Sequence, residues 1–266
     1  MDYDFLHQAV FPVFIRKEEN GDHKLLFTGT GFFIEINSQL IFITASHVGI
    51  QFGREKRDQL IVVEYVGNKK GAERILKGIS FINSKYDISA YVIDSKDLEK
   101  FKEKPRGFKV LLSELRPLEQ VFTFGFPFTQ MEENVARIRP IYQIGYINRI
   151  IFQEEIIKLV NKCFEKNYQL DFPSFPGISG APLLVRRGID MFVGGMIYGK
   201  LQTSYLTGPI EMEEEHLLEK NLVTRHEVRN QYEFGLACDY TSIFSLASEA
   251  LSKLKNKTSG KLTQDK

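Results

Sequence analysis

Three short segments carry residue types that could do chemistry together. Phe175-Pro176-Gly177-Ile178-Ser179-Gly180-Ala181-Pro182 sets a serine between two glycines. Gly177 lets the backbone turn so that its own N–H and that of Ser179 point at one spot, and two such donors make an oxyanion hole. Pro182 opens the following apolar run where no N–H donor is needed. A second segment, Leu40-Ile41-Phe42-Ile43-Thr44-Ala45-Ser46-His47, leaves an imidazole where an apolar run ends. Catalytic groups favour such loop-edge positions, and a group titrating near neutrality suits a general base. The third, Lys85-Tyr86-Asp87, sets a carboxylate directly before the apolar run Ile88–Ile93. A carboxylate that accepts from the far imidazole nitrogen fixes its tautomer. Taken singly, each has a plainer reading: a strand-capping histidine, a solvated turn aspartate, a glycine-rich β-turn. Gly78-Ile79-Ser80 is another Gly-x-Ser, but no second glycine opens that site.

The elements that would position these residues are strands. Runs rich in Val, Ile, Phe and Tyr recur between turn signals. They predict strands over Ala9–Arg16, Lys24–Thr28, Gly31–Ile36, Leu40–Thr44, Gln59–Tyr65, Ile75–Ile82 and Ser89–Ile93. After a charged stretch, Asp94–Pro117, come Gln120–Gly125, Tyr142–Ile151, Tyr168–Leu170, Pro182–Val185, Phe192–Tyr198 and Glu233–Ala237. Asn37-Ser38 favours a tight turn. Glu154–Phe164 reads as a helix or a strand continuation. The clearest helical spacing is Ile243, Phe244, Leu246, Ala247, Leu251 and Leu254, with Asp239 or Thr241 as cap. Two halves follow: residues 1–110 with His47 and Asp87, and 111–255 with Ser179. Residues 256–266 read as a disordered polar tail.

Composition excludes several classes. Of 266 residues, 43% are hydrophobic and 26% charged, with 22 Phe and no Trp, as in an ordinary globular chain. At this size about 70–75% of the unfolded surface is buried, so no disulfide or metal is needed for a core. The net charge of +1 lacks the basic excess of a nucleic-acid binder. No apolar run approaches a membrane span. Cys163 and Cys238 form no CxxC or metal pattern, and the acidic start Met1-Asp2-Tyr3-Asp4 is unlike a secretory signal. The expectation is a cytoplasmic protein with reduced thiols, no metal, no cofactor, and neither a nucleic-acid nor a membrane partner. Gly194 to Gly199-Lys200 approximates a P-loop, but Leu201 replaces the hydroxyl that would hold Mg²⁺.

In this order, and at similar separations, the His47, Asp87 and Ser179 segments resemble the trypsin-like, or chymotrypsin-fold, serine peptidase family. The resemblance spans roughly Ala9 to Leu254. It implies an all-β fold: two six-stranded antiparallel β-barrels at right angles, with a cleft between them and a C-terminal helix. It implies Ser179 as nucleophile, His47 as base, Asp87 as orienter, and the N–H groups of Gly177 and Ser179 as the oxyanion hole. Gly194-Gly195-Met196-Ile197-Tyr198-Gly199 looks like the strand walling the specificity pocket, and Phe234-Gly235-Leu236-Ala237 like the strand closing it. Carried over, Pro173 lies near the pocket base, and Ile197, Tyr198, Gly199 and Gly235 line it. Pro173 supplies no counter-charge for Lys or Arg, which favours an apolar P1 residue. Ile178 stands where zymogen-activated members carry an aspartate. That departure, with the absent disulfides, matches the intracellular and viral branches.

Without that aspartate, something else must set the oxyanion loop, so an activating partner or ligand is expected. Leu201–Gln231, a long charged loop beside the pocket, is the expected place for one to act. The leading expectation is a serine endopeptidase acting on a protein or peptide substrate. The rivals are a protein-binding module on the same fold with little turnover, and an esterase.

Overall fold

Short runs of Phe, Ile and Val cut by Asn, Gly and Pro leave strands as the dominant element. The computed structural model describes residues 3–19, 22–49, 60–64, 73–76, 78–83, 86–93, 95–132, 135–153, 164–206, 212–213, 224–225 and 229–262. Helix α1 (Tyr3–Ala9) comes first, where the sequence predicts only the start of a strand at Ala9. The first sheet comprises β1 (Val10–Glu19), β2 (Asp22–Ile36), β3 (Gln39–Ala45), β4 (Leu60–Val63), β5 (Glu73–Leu76), β6 (Gly78–Asn83) and β7 (Ile88–Ile93). Its spatial order is β5-β4-β1-β2-β3-β7-β6. The expected strand Ile75–Ile82 is two strands, β5 and β6, which lie at opposite ends of that order. Only residue 77 separates them, so the sheet must curl until its edges approach. Gly29-Thr30, expected to separate two strands, runs through β2 as continuous strand, where Thr28 is the extra residue opposite the Val13/Phe14 step of β1. Asn37 and Ser38 both take positive φ, 52° and 61°, as a two-residue hairpin turn of type I′ requires.

The second sheet contains β8 (Lys109–Val110), β9 (Gln120–Gly125), β12 (Ile141–Phe152), β13 (Lys166–Leu170), β14 (Pro182–Arg187), β15 (Asp190–Leu206) and β18 (Arg229–Asp239). Its order β14-β9-β12-β13-β18-β15 closes through β14–β15 pairing into a six-stranded barrel, with β8 added parallel on β15. Small separate pairs are β10 (Gln130–Glu132) with β11 (Val135–Arg137), and β16 (Met212–Glu213) with β17 (Thr224–Arg225). Short helices α2 (Ser46–Gly49) and α3 (Ser95–Leu98) follow β3 and β7. Helix α4 (Tyr240–Leu262) extends well into the stretch expected as a free tail. Of the ambiguous segment Glu154–Phe164, only Phe164 is within the described residues, and Cys163 is outside them.

Strands β9 and β14 are apolar on both faces, and the core explains why. Val121, Leu183 and Val185 fill the barrel interior. Phe122, Phe124 and Leu184 face outward into a second cluster shared with Phe32, Phe33, Phe42 and Ala90 of the first sheet. The two sheets therefore share one continuous apolar cluster, to which ring pairs within the first sheet, such as Phe33 edge-on to Phe42 at 5.0 Å, also belong. Residues 108–111 stitch the sheets together in backbone hydrogen bonds. Phe108 N donates to Phe33 O (2.9 Å), Glu35 N to Phe108 O (2.9 Å) and Leu111 N to Val193 O (2.8 Å). The charged stretch Asp94–Pro117 thus ties the two sheets together.

Helix α4 begins where Asp239, buried at the end of β18, accepts hydrogen bonds from the Thr241 and Ser242 hydroxyls. It buries Ile243, Leu246, Ala247, Ala250 and Leu251. It packs on β6 and β7 of the first sheet as well as β15 and β18 of the second. Among the described residues no helix is long and apolar enough to cross a membrane.

Candidate active site

The ladder between β3 and β7 ends at Ala45 opposite Ile88. The next residues outward, Ser46 and Asp87, are tied by Ser46 N donating to Asp87 O at 3.0 Å. Asp87 takes φ +46°, a left-handed conformation that Asp and Asn tolerate better than most residues. Asn83 holds the turn before it, accepting from Tyr86 N through Oδ1 and from Ser46 Oγ through its carbonyl, each at 3.2 Å. So placed, the Asp87 carboxylate receives two donors from one residue: His47 N–H on Oδ1 at 2.9 Å and His47 Nδ1 on Oδ2 at 2.7 Å. The aspartate side chain is 4% exposed and the histidine side chain 39%. A buried carboxylate so bonded makes Nδ1 the protonated nitrogen and leaves Nε2 as the free base.

The serine lies between two turns. Ile178 N donates to Phe175 O at 3.1 Å, and Gly177 sits at φ +90° after Pro176. Proline second and a positive-φ glycine third is the signature of a type II turn. Ala181 N donates to Ile178 O at 2.9 Å, closing the second turn with Gly180 at φ +87°. Among the described residues, the N–H groups of Gly177 and Ser179 donate to no protein acceptor, and the Ser179 hydroxyl has no partner. Thr30 N donates to Ser179 O at 2.9 Å. Gly180 lies against Thr30, Thr44 and Ala45, which brings the serine to the end of β3, just before His47. The structure therefore joins His47 to Asp87 directly and brings Ser179 beside them without a hydrogen bond.

Gly180 shows how tight that approach is. A Cβ there would sit 2.0 Å from Thr30 O and 3.0 Å from Ala45 N, in a backbone conformation side chains rarely adopt. Backbone cannot yield cheaply, so Gly180→Ala is expected to cost roughly 3–5 kcal/mol, combining overpacking and left-handed strain. Urea unfolding measures it. An unchanged midpoint would mean that the serine loop can seat elsewhere.

The expected pocket residues divide. Pro173 and Gly199 are half-buried, and a Cβ on Gly199 would meet nothing within 4 Å. Gly235 is buried, its N donating to Phe172 O at 2.7 Å beside Pro173. The side chains of Ile197 and Tyr198 are core. Ile197 is fully buried inside the barrel. Tyr198 is the extra residue at an irregularity in the β15–β18 register, and its hydroxyl donates to buried Asn167 Oδ1 at 2.7 Å. Leu201–Gln231 is less of a loop than expected: β15 and β18 stay paired from Gly195–Asp239 out to Leu206–Arg229. Its acidic residues from Glu214 to Glu219 lie outside the described residues.

Cys238 is free and fully buried, and burial, reinforced by the Asp239 carboxylate, pushes its thiol well above the ordinary range. It is packed as a small hydrophobe. Among the described residues no cluster of three His, Cys, Asp or Glu side chains could hold a metal. Sequence reasoning missed Thr30, which is fully buried and bonded to the serine loop, and Asn83. The small residues around Thr30 were the available signal.

No family model matches the chain, and no curated protein matches it. Solved structures do. The active form of the Rv3671c protease from M. tuberculosis superimposes with a TM-score of 0.54 at 14% identity, over 92% of this chain and 82% of that one. A serine-to-alanine mutant of Rv3671c in an inactive form gives 0.50 at 13% identity, over 92% and 88%. At such identities the likeness is one of fold.

Proposed function

We propose that this chain is a serine endopeptidase. The observation that carries the reading is the His47–Asp87 pair: an aspartate 4% exposed, bonded at 2.7 Å to the Nδ1 of a half-exposed imidazole beside the Ser179 turn. In the proposed reaction, Ser179 Oγ attacks a peptide carbonyl while His47 Nε2 takes its proton. The oxygen of the tetrahedral intermediate is stabilised by the N–H groups of Gly177 and Ser179. Collapse expels the amine, which takes the proton from His47 and leaves an acyl-enzyme on Ser179. Water, deprotonated by His47, releases the acid by the same steps in reverse. The Ser179–His47 bond is the contact that substrate closes, as apo sites commonly leave such bonds long. Gly199 leaves room for a P1 side chain and Pro173 brings no charge, which supports an apolar P1 preference.

The proposal places the enzyme in the cytoplasm with reduced thiols. Control by a protein partner would act through the ribbon that β15 and β18 extend beside the pocket. The test is a fluorophosphonate probe on the purified chain, followed by peptide-library cleavage with and without cell lysate. Labelling with cleavage after apolar residues is the expected result. A chain that neither labels nor cleaves under any condition would instead be a binding module on this fold.

A further inference from the structure

Among the described residues no charged side chain bonds to the oxyanion turn, whose Ile178 is fully buried in the barrel core. The rings of Phe27 and Phe128 lie against Gly177 and Phe175, and one side chain hydrogen-bonds to the turn from outside. The hydroxyl of Thr30 donates to Gly177 O at 2.8 Å and accepts from Phe126 N at 3.2 Å. Its one donor and one of its two acceptor sites are thus used, in a residue with no exposed surface. The same residue's N–H donates to Ser179 O at 2.9 Å, and its carbonyl accepts from Thr44 Oγ1 at 2.7 Å. Thr44 lies on β3, the strand that leads to His47.

We propose that Thr30 is a positioning residue that sets the oxyanion donors in register with His47, doing the work that a buried ion pair would otherwise do. The inference rests on the peptidase reading above for its catalytic consequence. The geometry assigns the role as follows. The Thr30 hydroxyl fixes the Gly177–Ile178 peptide plane, and the Thr30 N–H fixes the Ser179–Gly180 plane. The plane between them carries the Ser179 N–H, and the plane before them carries the Gly177 N–H. Both oxyanion donors are therefore next to planes that Thr30 anchors from β2, the Ser179–Gly180 plane being held also by Gly180 N donating to Ile197 O at 2.7 Å. The Phe175–Ile178 hydrogen bond cannot provide this, because it lies within the turn and moves with it. This accounts for an open turn in the isolated chain, where the sequence led to the expectation of an external partner.

Only the hydroxyl depends on residue type, so it is the part to remove. Thr30→Val keeps the shape and β-branching, Thr30→Ser keeps the hydroxyl, and Thr30→Ala leaves space for a water. A displacement of the donors by about 1 Å is enough for a loss on the order of 100-fold. Thr30→Val is expected to lower kcat by roughly 10- to 100-fold with KM little changed, and Thr30→Ser to restore most of it. A second readout needs no turnover. Pro176–Gly177 is the one Pro–Gly pair in the sequence. Labelling with ¹³C-carbonyl proline and ¹⁵N-glycine therefore gives one amide signal, from Gly177.

That signal should coincide in wild type and Thr30→Ser, and shift or broaden in Thr30→Val and Thr30→Ala. Coincident signals in all four proteins would overturn the assignment. So would a Thr30→Ser variant as impaired as Thr30→Val, or failure of both Val and Ala variants to fold, which would make the hydroxyl a folding residue. If the Gly177 signal moves as expected while the wild type neither cleaves peptides nor labels with a serine probe, the anchor stands and the peptidase reading falls.

Discussion

Replacing Ser179 by alanine is expected to lower peptide turnover by about 10⁶-fold, the order of loss when the nucleophile of such a unit is removed. Stability should barely move. Among the described residues the hydroxyl has no hydrogen-bond partner, and Ser179 is only half-buried, so its removal leaves no orphaned polar group. A change within about 0.5 kcal/mol is ordinary at such a position. The two measurements are a peptide assay and a urea titration on the same preparation. Residual turnover near wild type would show that another group attacks the carbonyl. A large loss of stability would show that the hydroxyl holds the turn.

Asp87→Asn is expected to lower turnover by about 10⁴-fold with the fold intact. The backbone accommodates it, since asparagine tolerates the φ of +46° as aspartate does. The chemistry does not. Asp87 offers one oxygen to His47 N–H and the other to Nδ1. Asparagine has a single acceptor oxygen and an NH₂ group. The backbone N–H is a fixed donor and claims the oxygen. The NH₂ group then faces Nδ1, which must become an acceptor, and the proton moves to Nε2, the nitrogen that has to receive one from Ser179. ¹⁵N spectra of His47 would show the tautomer directly. Wild-type turnover would mean that another carboxylate orients the ring. Of the two nearest in sequence, Asp97 lies beyond the far end of β7, is buried and pairs with Lys100, while Asp94 lies outside the described residues.

His47, Asp87 and Ser179 stood out in the sequence because each lies where an apolar run begins or ends, and because the glycines around Ser179 have no other obvious use. Gln120–Gly125 matches β9 end to end, bounded by charge on one side and Gly-Phe-Pro on the other. Tyr198 misled, since it stands in the expected pocket strand, yet one irregularity in the β15–β18 register turns its ring to Asn167. The length of β15 was hidden because Lys200-Leu201-Gln202-Thr203-Ser204 carries no apolar alternation, and the ladder with β18 carries it instead. Thr30 is the deepest case. Its hydroxyl meets a carbonyl 147 residues later, and no local pattern encodes a partner that distant.

Helix α4 follows every strand described above, yet it covers β6 and β7, which lie far earlier in the chain. A ribosome releases residues in order, so the first sheet lacks part of its apolar cover until α4 has emerged. Contacts this distant in sequence also form late in folding, because closing the loop between them costs chain entropy. The cover of β7, the strand that begins next to Asp87, therefore depends on a helix made much later. A chain terminated before Tyr240 would hold His47, Asp87 and Ser179 without the helix that packs on β7.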